Sequence, residues 1–223
     1  MGNRLGQHAA VIGGSIAGIM TARVLSDFFD KVTVLEHDQI ADQPAHRKSV
    51  PQDKHFHVLL HGGERVMSAL FPGFVDDLEN LGAVRIRIGT EVGFFLPDGK
   101  AYNPWGTVRE ASDLGIDVFS LSRTAIEYCA RQRLRQIESI QYLDGVSVKR
   151  ISASGNRICA LEYTRDDHVK TMKTDFIVDT SGRGCRAPRW LADLGFSAPP
   201  VTEMGVDFAY STTKYRVPEE LWG

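Results

Sequence analysis

The first forty residues alternate between apolar runs and short polar or glycine-rich breaks. Residues 8–12 form an apolar run that predicts a strand, and residues 15–28 carry apolar side chains at helical spacing. Residues 31–36 (KVTVLE) are mostly β-branched and apolar, which is typical of a strand buried on both faces. A strand, a tight turn, a helix and a second strand in so short a span predict a βαβ unit with a parallel strand pair.

The pattern changes twice before the middle of the chain. Residues 38–54 are polar and lack periodicity, so they predict a long loop of the kind that often carries function. Residues 63–81 predict a helix that is divided at Pro72-Gly73. Residues 84–96 alternate like a strand pair, and a turn at 97–100 follows.

The second half predicts one long helix and a series of short strands. Ser122 is the expected N-cap of a helix that runs to about residue 137. Turns separate four strands that predict an antiparallel meander, at residues 140–143, 146–151, 158–164 and 169–172. A buried strand at 175–179 then leads into a glycine-rich turn at 180–184, a helix over 188–194 and a last strand over 206–213.

Composition and charge exclude several classes of protein. Of the 223 residues 43% are apolar and 24% are charged, which excludes a disordered, collagen-like or coiled-coil chain. The net charge of −2, without a basic stripe, predicts no nucleic-acid partner. Three widely spaced cysteines predict free thiols in a reducing, cytoplasmic compartment and no metal site. The apolar run near the N-terminus is too short to span a bilayer, so no stable membrane association is expected.

The turn after the first strand reads Gly13-Gly14-Ser15-Ile16-Ala17-Gly18, a G-x-G-x-x-G spacing with serine at the second glycine. In this fingerprint the first glycine permits the tight turn, the second lets backbone approach a pyrophosphate, and the third allows close helix–strand packing. The helix N-terminus offers free N–H groups to phosphates. Glu36 closes the second strand, near the ~20-residue spacing of an acid that binds ribose hydroxyls. FAD or NAD is therefore favoured over NADP, and the alternative is a plain βαβ turn with a solvated glutamate.

The order of the elements also favours one dinucleotide. An antiparallel meander followed by an apolar strand and a Thr-Ser-Gly turn is the layout of glutathione-reductase-type FAD domains. The chain resembles the FAD-dependent monooxygenases related to p-hydroxybenzoate hydroxylase, particularly the branch near squalene epoxidase and the flavin halogenases. Four stretches carry this resemblance: residues 11–18 with Glu36, 47–60 (RKSVPQDKHFHVLL), 121–126 (LSRTAI) and 177–191 (IVDTSGRGCRAPRWL). The first and last resemble the two FAD fingerprints, and the other two resemble segments that bring an arginine to the cofactor.

The resemblance implies an α/β fold, with a Rossmann-like FAD-binding domain over residues 1–84 and 115–198. In that domain a β-meander crossover interrupts a parallel sheet, and residues 85–114 and 199–223 would begin a substrate-binding sheet. The cofactor-binding residues predicted from the motifs and the resemblance are Gly13, Gly14, Ser15, Ile16, Ala17, Gly18, Glu36, His37, Arg47, Gln52, Arg123, Val146, Asp179 and Gly182. His57 is a candidate catalytic residue near the isoalloxazine. Plainer alternatives are a solvated Arg47, a packed or hydrogen-bonding pair of His55 and His57, and an Asp179 that caps the next turn.

The same resemblance implies an enzyme that uses FAD, with NAD(P)H as co-substrate. Such a monooxygenase hydroxylates or epoxidises an aromatic or polyketide-like small molecule through a flavin C4a-hydroperoxide. A halogenase is disfavoured because no Trp-x-Trp motif occurs, and a flavin-dependent isoprenoid reductase stays an alternative. The family's third fingerprint, a Gly-Asp pair, does not follow Gly184, and the length is about half that expected. A truncation, a non-catalytic FAD- or nucleotide-binding module, or a subunit whose sheet edge is covered by a partner chain or a second copy would each explain this.

Overall fold

The computed structural model of the chain describes residues 4–91, 94–95, 101–102, 114–197, 199–209, 211–213, 215–216, 218 and 220. The elements of the first half are β1 (Gly6–Ile12), α1 (Ile16–Leu25), β2 (Phe29–Leu35), β3 (Val58–Leu59), α2 (His61–Leu70), α3 (Phe74–Asn80), β4 (Val84–Arg87), β5 (Phe94–Phe95) and β6 (Ala101–Tyr102). Those of the second half are β7 (Asp117–Ser120), α4 (Arg123–Arg135), β8 (Ile140–Leu143), β9 (Ser147–Ser154), β10 (Arg157–Arg165), β11 (His168–Lys173), β12 (Phe176–Asp179) and α5 (Ala187–Asp193).

A parallel sheet of four strands, in the order β12-β1-β2-β8, forms the centre of the fold. β1 pairs in parallel with β2 on one side and with β12 on the other, and Val11 lies opposite both Val34 and Val178. The strands are apolar on both faces because each face of this sheet is covered. The predicted βαβ unit and the α/β fold class are confirmed.

The side chains of β1 and β2 alternate between two apolar cores. Val11 and Val34 face the helices and belong to the core that α1, α2, α3 and α4 share. Ile12 and Leu35, the next residue of each strand, face the opposite way and pack with the meander and Trp190 of α5. The strand period of two therefore produces three layers, with the parallel sheet between helices and meander.

The meander contains three strands, not the four that the sequence predicts. β9, β10 and β11 pair antiparallel in consecutive order. β8, predicted as the first meander strand, instead joins the parallel sheet, where Val34 of β2 lies opposite Tyr142. The prediction for residues 140–143 was wrong because its pairing partner lies more than a hundred residues earlier in the chain, beyond the range of local pattern.

The strands predicted over residues 84–96 pair with other partners. β4 pairs antiparallel with β7, which the sequence analysis missed, and β3 pairs with the other edge of β7. β5 pairs with β6, on either side of the predicted turn at 97–100, which lies outside the described residues. Pairing across the sequence, not alternation along it, decides which strands form one sheet.

The strand predicted over residues 206–213 was wrong for the part of it that the structure describes. Residues 206–209 and 211–213 have no strand geometry, and all of them are exposed. An alternating pattern forms a strand only when another strand satisfies its backbone. Among the helices of the described ranges, none is both long and apolar enough to cross a bilayer.

Candidate functional site

The fingerprint turn brings the end of β1, the start of α1 and the turn after β12 into close contact. Gly13 has a φ of +95°, which a side chain disfavours, and a Cβ there would lie 2.9 Å from the carbonyl of Thr180. A Cβ on Gly18 would lie 1.9 Å from the carbonyl oxygen of Gly13. Thr180 Oγ1 donates toward the carbonyl oxygens of Ile12 and Gly13, at 2.8 and 2.9 Å. Gly13 is therefore required by contact and by conformation, and Gly18 by contact.

Two side chains from neighbouring strands hold Gly14 between them. Glu36, which follows β2, accepts the backbone N–H of Gly14 at 2.8 Å through Oε2. Tyr142 of β8 donates its hydroxyl to the carbonyl oxygen of Gly14 at 2.7 Å. Burial, together with the nearby carboxylate of Glu36, raises the pKa of Tyr142, so the hydroxyl keeps its proton. Oε1 of Glu36 also accepts the backbone N–H of Asp38 at 2.9 Å.

Ser15 stands at the N-cap of α1, yet its hydroxyl makes no hydrogen bond to the helix it precedes. It donates to Oε2 of Glu127 at 2.7 Å and accepts from Nη2 of Arg123 at 2.8 Å. Serine at an N-cap ordinarily accepts a first-turn N–H of its own helix. Here the hydroxyl is turned toward α4 instead, and the first turn of α1 contains no acidic residue.

Glu127 of α4 is the centre of a buried charge cluster. Only 3% of the residue is exposed. Oε2 accepts from Ser15 and from Arg123 Nη1, the latter at 2.9 Å, and Oε1 accepts from Arg131 Nη1 at 2.9 Å. Nη2 of Arg47 lies 2.7 Å from Oε1. Burial alone would raise the pKa of Glu127, but Arg47, Ser15 and the two arginines of α4 together hold it below its ordinary value.

Arg47 connects the long loop to this cluster. Its side chain is buried, and Nη1 lies 3.2 Å from Oε2 of Glu36 while Nη2 pairs with Glu127. The loop is fixed from within by the buried Asp53, which accepts the backbone N–H of Arg47 at 2.8 Å and contacts His46 Nδ1 at 3.1 Å. The predicted loop over residues 38–54 is therefore anchored by buried charges. A solvated Arg47, the plainer alternative, is excluded.

A cleft of about 750 Å³ opens beside this cluster, between the fingerprint turn, the long loop and the turn after β12. Nine of the predicted site residues line it: Gly13, Ser15, Ala17, Glu36, His37, Gln52, Arg123, Val146 and Gly182. Its volume is in the range of small-molecule and cofactor sites. A groove of about 760 Å³ between α1 and α2 is comparable in size but contains none of the predicted residues. The cleft is therefore the candidate site.

The remaining predicted residues lie behind or beside the cleft. Gly14, Ile16, Gly18 and Arg47 support its wall from the turn and the charge cluster. His57 contacts the backbone oxygen of His55 through Nδ1 at 2.8 Å and does not line the cleft. Asp179 accepts the backbone N–H and the hydroxyl of Ser181, as expected of a residue that caps the turn. The cofactor contacts predicted for these residues stay predictions.

Glu127 and Tyr142 are two of the site residues that the sequence analysis missed. Glu127 had a local signal, because it follows Arg123 and precedes Arg131 by four residues each, and side chains at that spacing meet on one face of a helix. Tyr142 had no signal, because its contact with Gly14 depends on the parallel pairing of β8 with β2.

The chain is similar to known proteins in sequence and in fold. No protein-family model matches the chain. Protein Rv3254 of Mycobacterium tuberculosis is 30% identical over 224 residues, an alignment that covers 96% of this chain and 46% of that protein. The chain thus spans about half the length of this relative.

Several solved structures resemble the chain in fold, at lower sequence identity. The p-nitrophenol 4-monooxygenase PnpA of Pseudomonas putida superposes with a TM-score of 0.61 at 15% identity, over 86% of this chain and 44% of PnpA. The flavin-dependent monooxygenase PieE, solved with FAD and substrate, gives 0.56 at 16% identity, over 88% of this chain and 33% of PieE. The myxobacterial FAD-dependent halogenase CndH gives 0.57 at 20% identity, over 81% and 38%. The chain has the α/β fold of the N-terminal part of FAD-dependent monooxygenases and halogenases.

Proposed function

We propose that the chain binds FAD in the cleft, with the diphosphate at the N-terminus of α1 and the adenosine ribose at Glu36. The observation that carries this proposal is the convergence of the fingerprint turn, Glu36 and the turn around Gly182 on one cleft. Free N–H groups and the dipole of a helix N-terminus favour a phosphate. The likeness of the fold to FAD-dependent enzymes supports the same cofactor.

The residues of the cleft fit such a ligand. The turn can pass close to a diphosphate because Gly13 has no side chain and the hydroxyl of Ser15 is directed toward α4. Oε2 of Glu36 is taken up by the N–H of Gly14 and by Arg47, whereas Oε1 accepts one backbone N–H and keeps a lone pair for a ribose hydroxyl. A glutamate at this position favours a free 2′-hydroxyl, because its carboxylate would repel a 2′-phosphate. Arg123 supplies a positive charge at the wall of the cleft.

The reaction that we propose is that of a monooxygenase, with NAD(P)H as electron donor and O2 as oxidant. Bound flavin supplies the redox chemistry, while the protein binds and orients the cofactor and the organic substrate. An aromatic or polyketide-like substrate is proposed, and the activity of PnpA on a nitrophenol supports the aromatic class. A halogenase is a second candidate, since CndH and CmlS share the fold. A cytoplasmic enzyme with access to NAD(P)H is part of the same proposal.

A module without catalysis of its own is the alternative from another class. The observation behind this alternative is that the alignments cover less than half of the relative and of each similar structure named above. In that case a partner chain or a second copy would complete the substrate site.

The visible absorption spectrum of the purified 223-residue chain, recorded before and after addition of FAD, tests the proposal. We expect uptake of oxidised flavin, and binding at least about tenfold weaker for Glu36→Gln, because a charge-assisted hydrogen bond to the ribose is weakened and the amide NH2 group must face the N–H of Gly14 or Asp38. Glu162→Gln is the matched control, since it makes the same charge change in an ion pair with Arg150 on the meander. A chain that takes up no flavin overturns the proposal.

Oxygen consumption after addition of NADPH separates the enzyme from the module. Uptake of oxygen that increases when p-nitrophenol is added supports a monooxygenase with an aromatic substrate. Flavin that stays oxidised in the presence of NADPH supports the module.

A further inference from the structure

Ser15 raises a physical question, because the second glycine of the fingerprint is replaced by a good helix-capping residue. An N-cap hydroxyl ordinarily accepts the N–H of the second or third helical residue. In α1 these residues are Ala17 and Gly18. Such a bond would occupy a donor that faces the cleft and would place an oxygen where a phosphate is expected to lie. The serine is compatible with a diphosphate only if its hydroxyl is held elsewhere.

Glu127 holds it. The hydroxyl donates to Oε2 of Glu127 at 2.7 Å and accepts from Arg123 at 2.8 Å, so its proton and one lone pair are both taken up by α4. Arg123 is in turn held by Glu127 at 2.9 Å. The three side chains form a closed triangle of hydrogen bonds that fixes the hydroxyl from both sides. Buried, charge-assisted bonds of this kind are stronger than the bond of a neutral cap.

The other oxygen of Glu127 extends this control to the long loop. Oε1 accepts from Arg131 and lies 2.7 Å from Nη2 of Arg47. Arg47 then reaches Glu36, the expected ribose ligand, at 3.2 Å. The Glu127 carboxylate therefore contacts Ser15, at the expected diphosphate site, and Arg47, which supports the expected ribose ligand Glu36.

We infer that Glu127 is a positioning residue for the dinucleotide: it keeps the Ser15 hydroxyl from capping α1, which leaves the helix N–H groups free for a diphosphate, and it aligns Arg47 and Arg123. The role of Glu127 toward FAD rests on the proposed function. Its hold on Ser15 is a property of the ligand-free chain and can be tested without a cofactor.

A simple charge effect and a positioning role predict opposite changes in FAD affinity when Glu127 is neutralised. Removal of a carboxylate near the cleft should strengthen the binding of an anionic diphosphate by Coulomb's law. Positioning predicts the opposite. In Glu127→Gln a single carbonyl oxygen can satisfy the donors on one side only, and the amide NH2 group faces either Arg123 and Ser15 or Arg47 and Arg131.

The test uses Glu127→Gln, Ser15→Gly, the double variant, and Glu162→Gln as the control of equal charge. By titration of flavin fluorescence, we expect Glu162→Gln to bind FAD as the parent chain does, and Ser15→Gly is the background with which the double variant is compared. Glu127→Gln should bind about tenfold more weakly, the effect of one lost charge-assisted contact. The double variant should recover part of this loss, because glycine cannot cap α1.

Amide hydrogen exchange of the ligand-free chain tests the same inference independently of FAD. In Glu127→Gln the amides of Ala17 and Gly18 should exchange more slowly, since Ser15 is free to cap them, and Ser15→Gly should abolish this protection. Ser15→Gly alone should leave the exchange of these amides unchanged. If the neutral variant does not fold, Glu127→Asp keeps the charge, draws the carboxylate back by one methylene, and predicts the same directions.

The outcomes are distinguishable. FAD binding by Glu127→Gln that is equal to or tighter than that of the parent chain overturns the positioning role. First-turn exchange that does not depend on Glu127 overturns the control of Ser15. A parent chain without affinity for FAD overturns the proposed function and the role toward FAD, while the exchange experiment still decides whether Glu127 keeps the helix uncapped.

Discussion

A single methyl group at position 18 tests whether close packing of β1 against α1 builds the site. In Gly18→Ala the added Cβ would lie 1.9 Å from the carbonyl oxygen of Gly13 and 2.9 Å from Oγ1 of Thr180. Neither neighbour can move alone, because Thr180 Oγ1 donates to the Gly13 carbonyl at 2.9 Å. The start of α1 would therefore have to move away from the end of β1.

The expected loss of stability in Gly18→Ala follows from three contributions. Overpacking against backbone costs about 1–3 kcal/mol or somewhat more, and each strained hydrogen bond of Thr180 costs about 1 kcal/mol. Alanine returns about 1 kcal/mol through its higher helix propensity. We expect a net loss of about 2–4 kcal/mol, or about 5–15 °C in Tm for a chain of this size, together with weaker FAD binding.

Thermal and urea unfolding measure the effect, and Gly62→Ala is the matched control. Gly62 also lies in a helix, but a Cβ there meets no atom within 4 Å. The control should be neutral or more stable by up to about 1 kcal/mol, because only helix propensity changes. The reasoning is refuted if Gly18→Ala is as stable as the parent chain, or if both variants lose the same stability.

Further predictions concern the contact of Tyr142 with Gly14, the stability at acid pH and the thiols. Tyr142→Phe removes the hydroxyl that binds the carbonyl of Gly14 and should cost about 1 kcal/mol in urea unfolding, with FAD binding weakened. Because the pKa of Glu127 is lowered in the fold, its contribution is complete above the unfolded value and lost as the pH falls below about 4. The free energy of unfolding should thus fall less steeply with decreasing pH in Glu127→Gln than in the parent chain. An unchanged pH dependence would contradict this. Burial raises the pKa of Cys129 to about 11, so a thiol reagent should label the two exposed cysteines first and Cys129 only on unfolding.

The sequence pattern predicted correctly those segments whose structure depends on residues close by in the chain. The fingerprint turn, the helix that follows it and the buried strand before Glu36 were predicted because their glycines and apolar runs lie within forty residues. The bent helix pair at α2 and α3 was predicted from Pro72-Gly73, and the N-cap role of Ser122 is confirmed by the bond from the Ala125 N–H to its hydroxyl.

Pattern was insufficient where the partner is distant. β8 has the length and composition of a meander strand, and only its pairing with β2 shows that it belongs to the parallel sheet. The strand expected over residues 206–213 had alternation but no partner among the described residues. Both errors have one cause, since a strand is stabilised by cross-strand pairs that the strand's own sequence does not contain.

The position of Arg123 at the start of α4 has an explanation within the protein itself. A cation at the start of a helix is unfavourable, which taken alone would indicate a nearby anion such as a phosphate. The structure contains a nearer anion, since Glu127 lies one turn along the same helix at 2.9 Å. The position of Arg123 is thus explained without any ligand, and its unfavourable placement is no longer evidence for a phosphate. What supports a diphosphate at this wall is instead the use of Arg123 and Glu127 together to direct the hydroxyl of Ser15 away from α1, because that arrangement leaves helix donors free at the cleft.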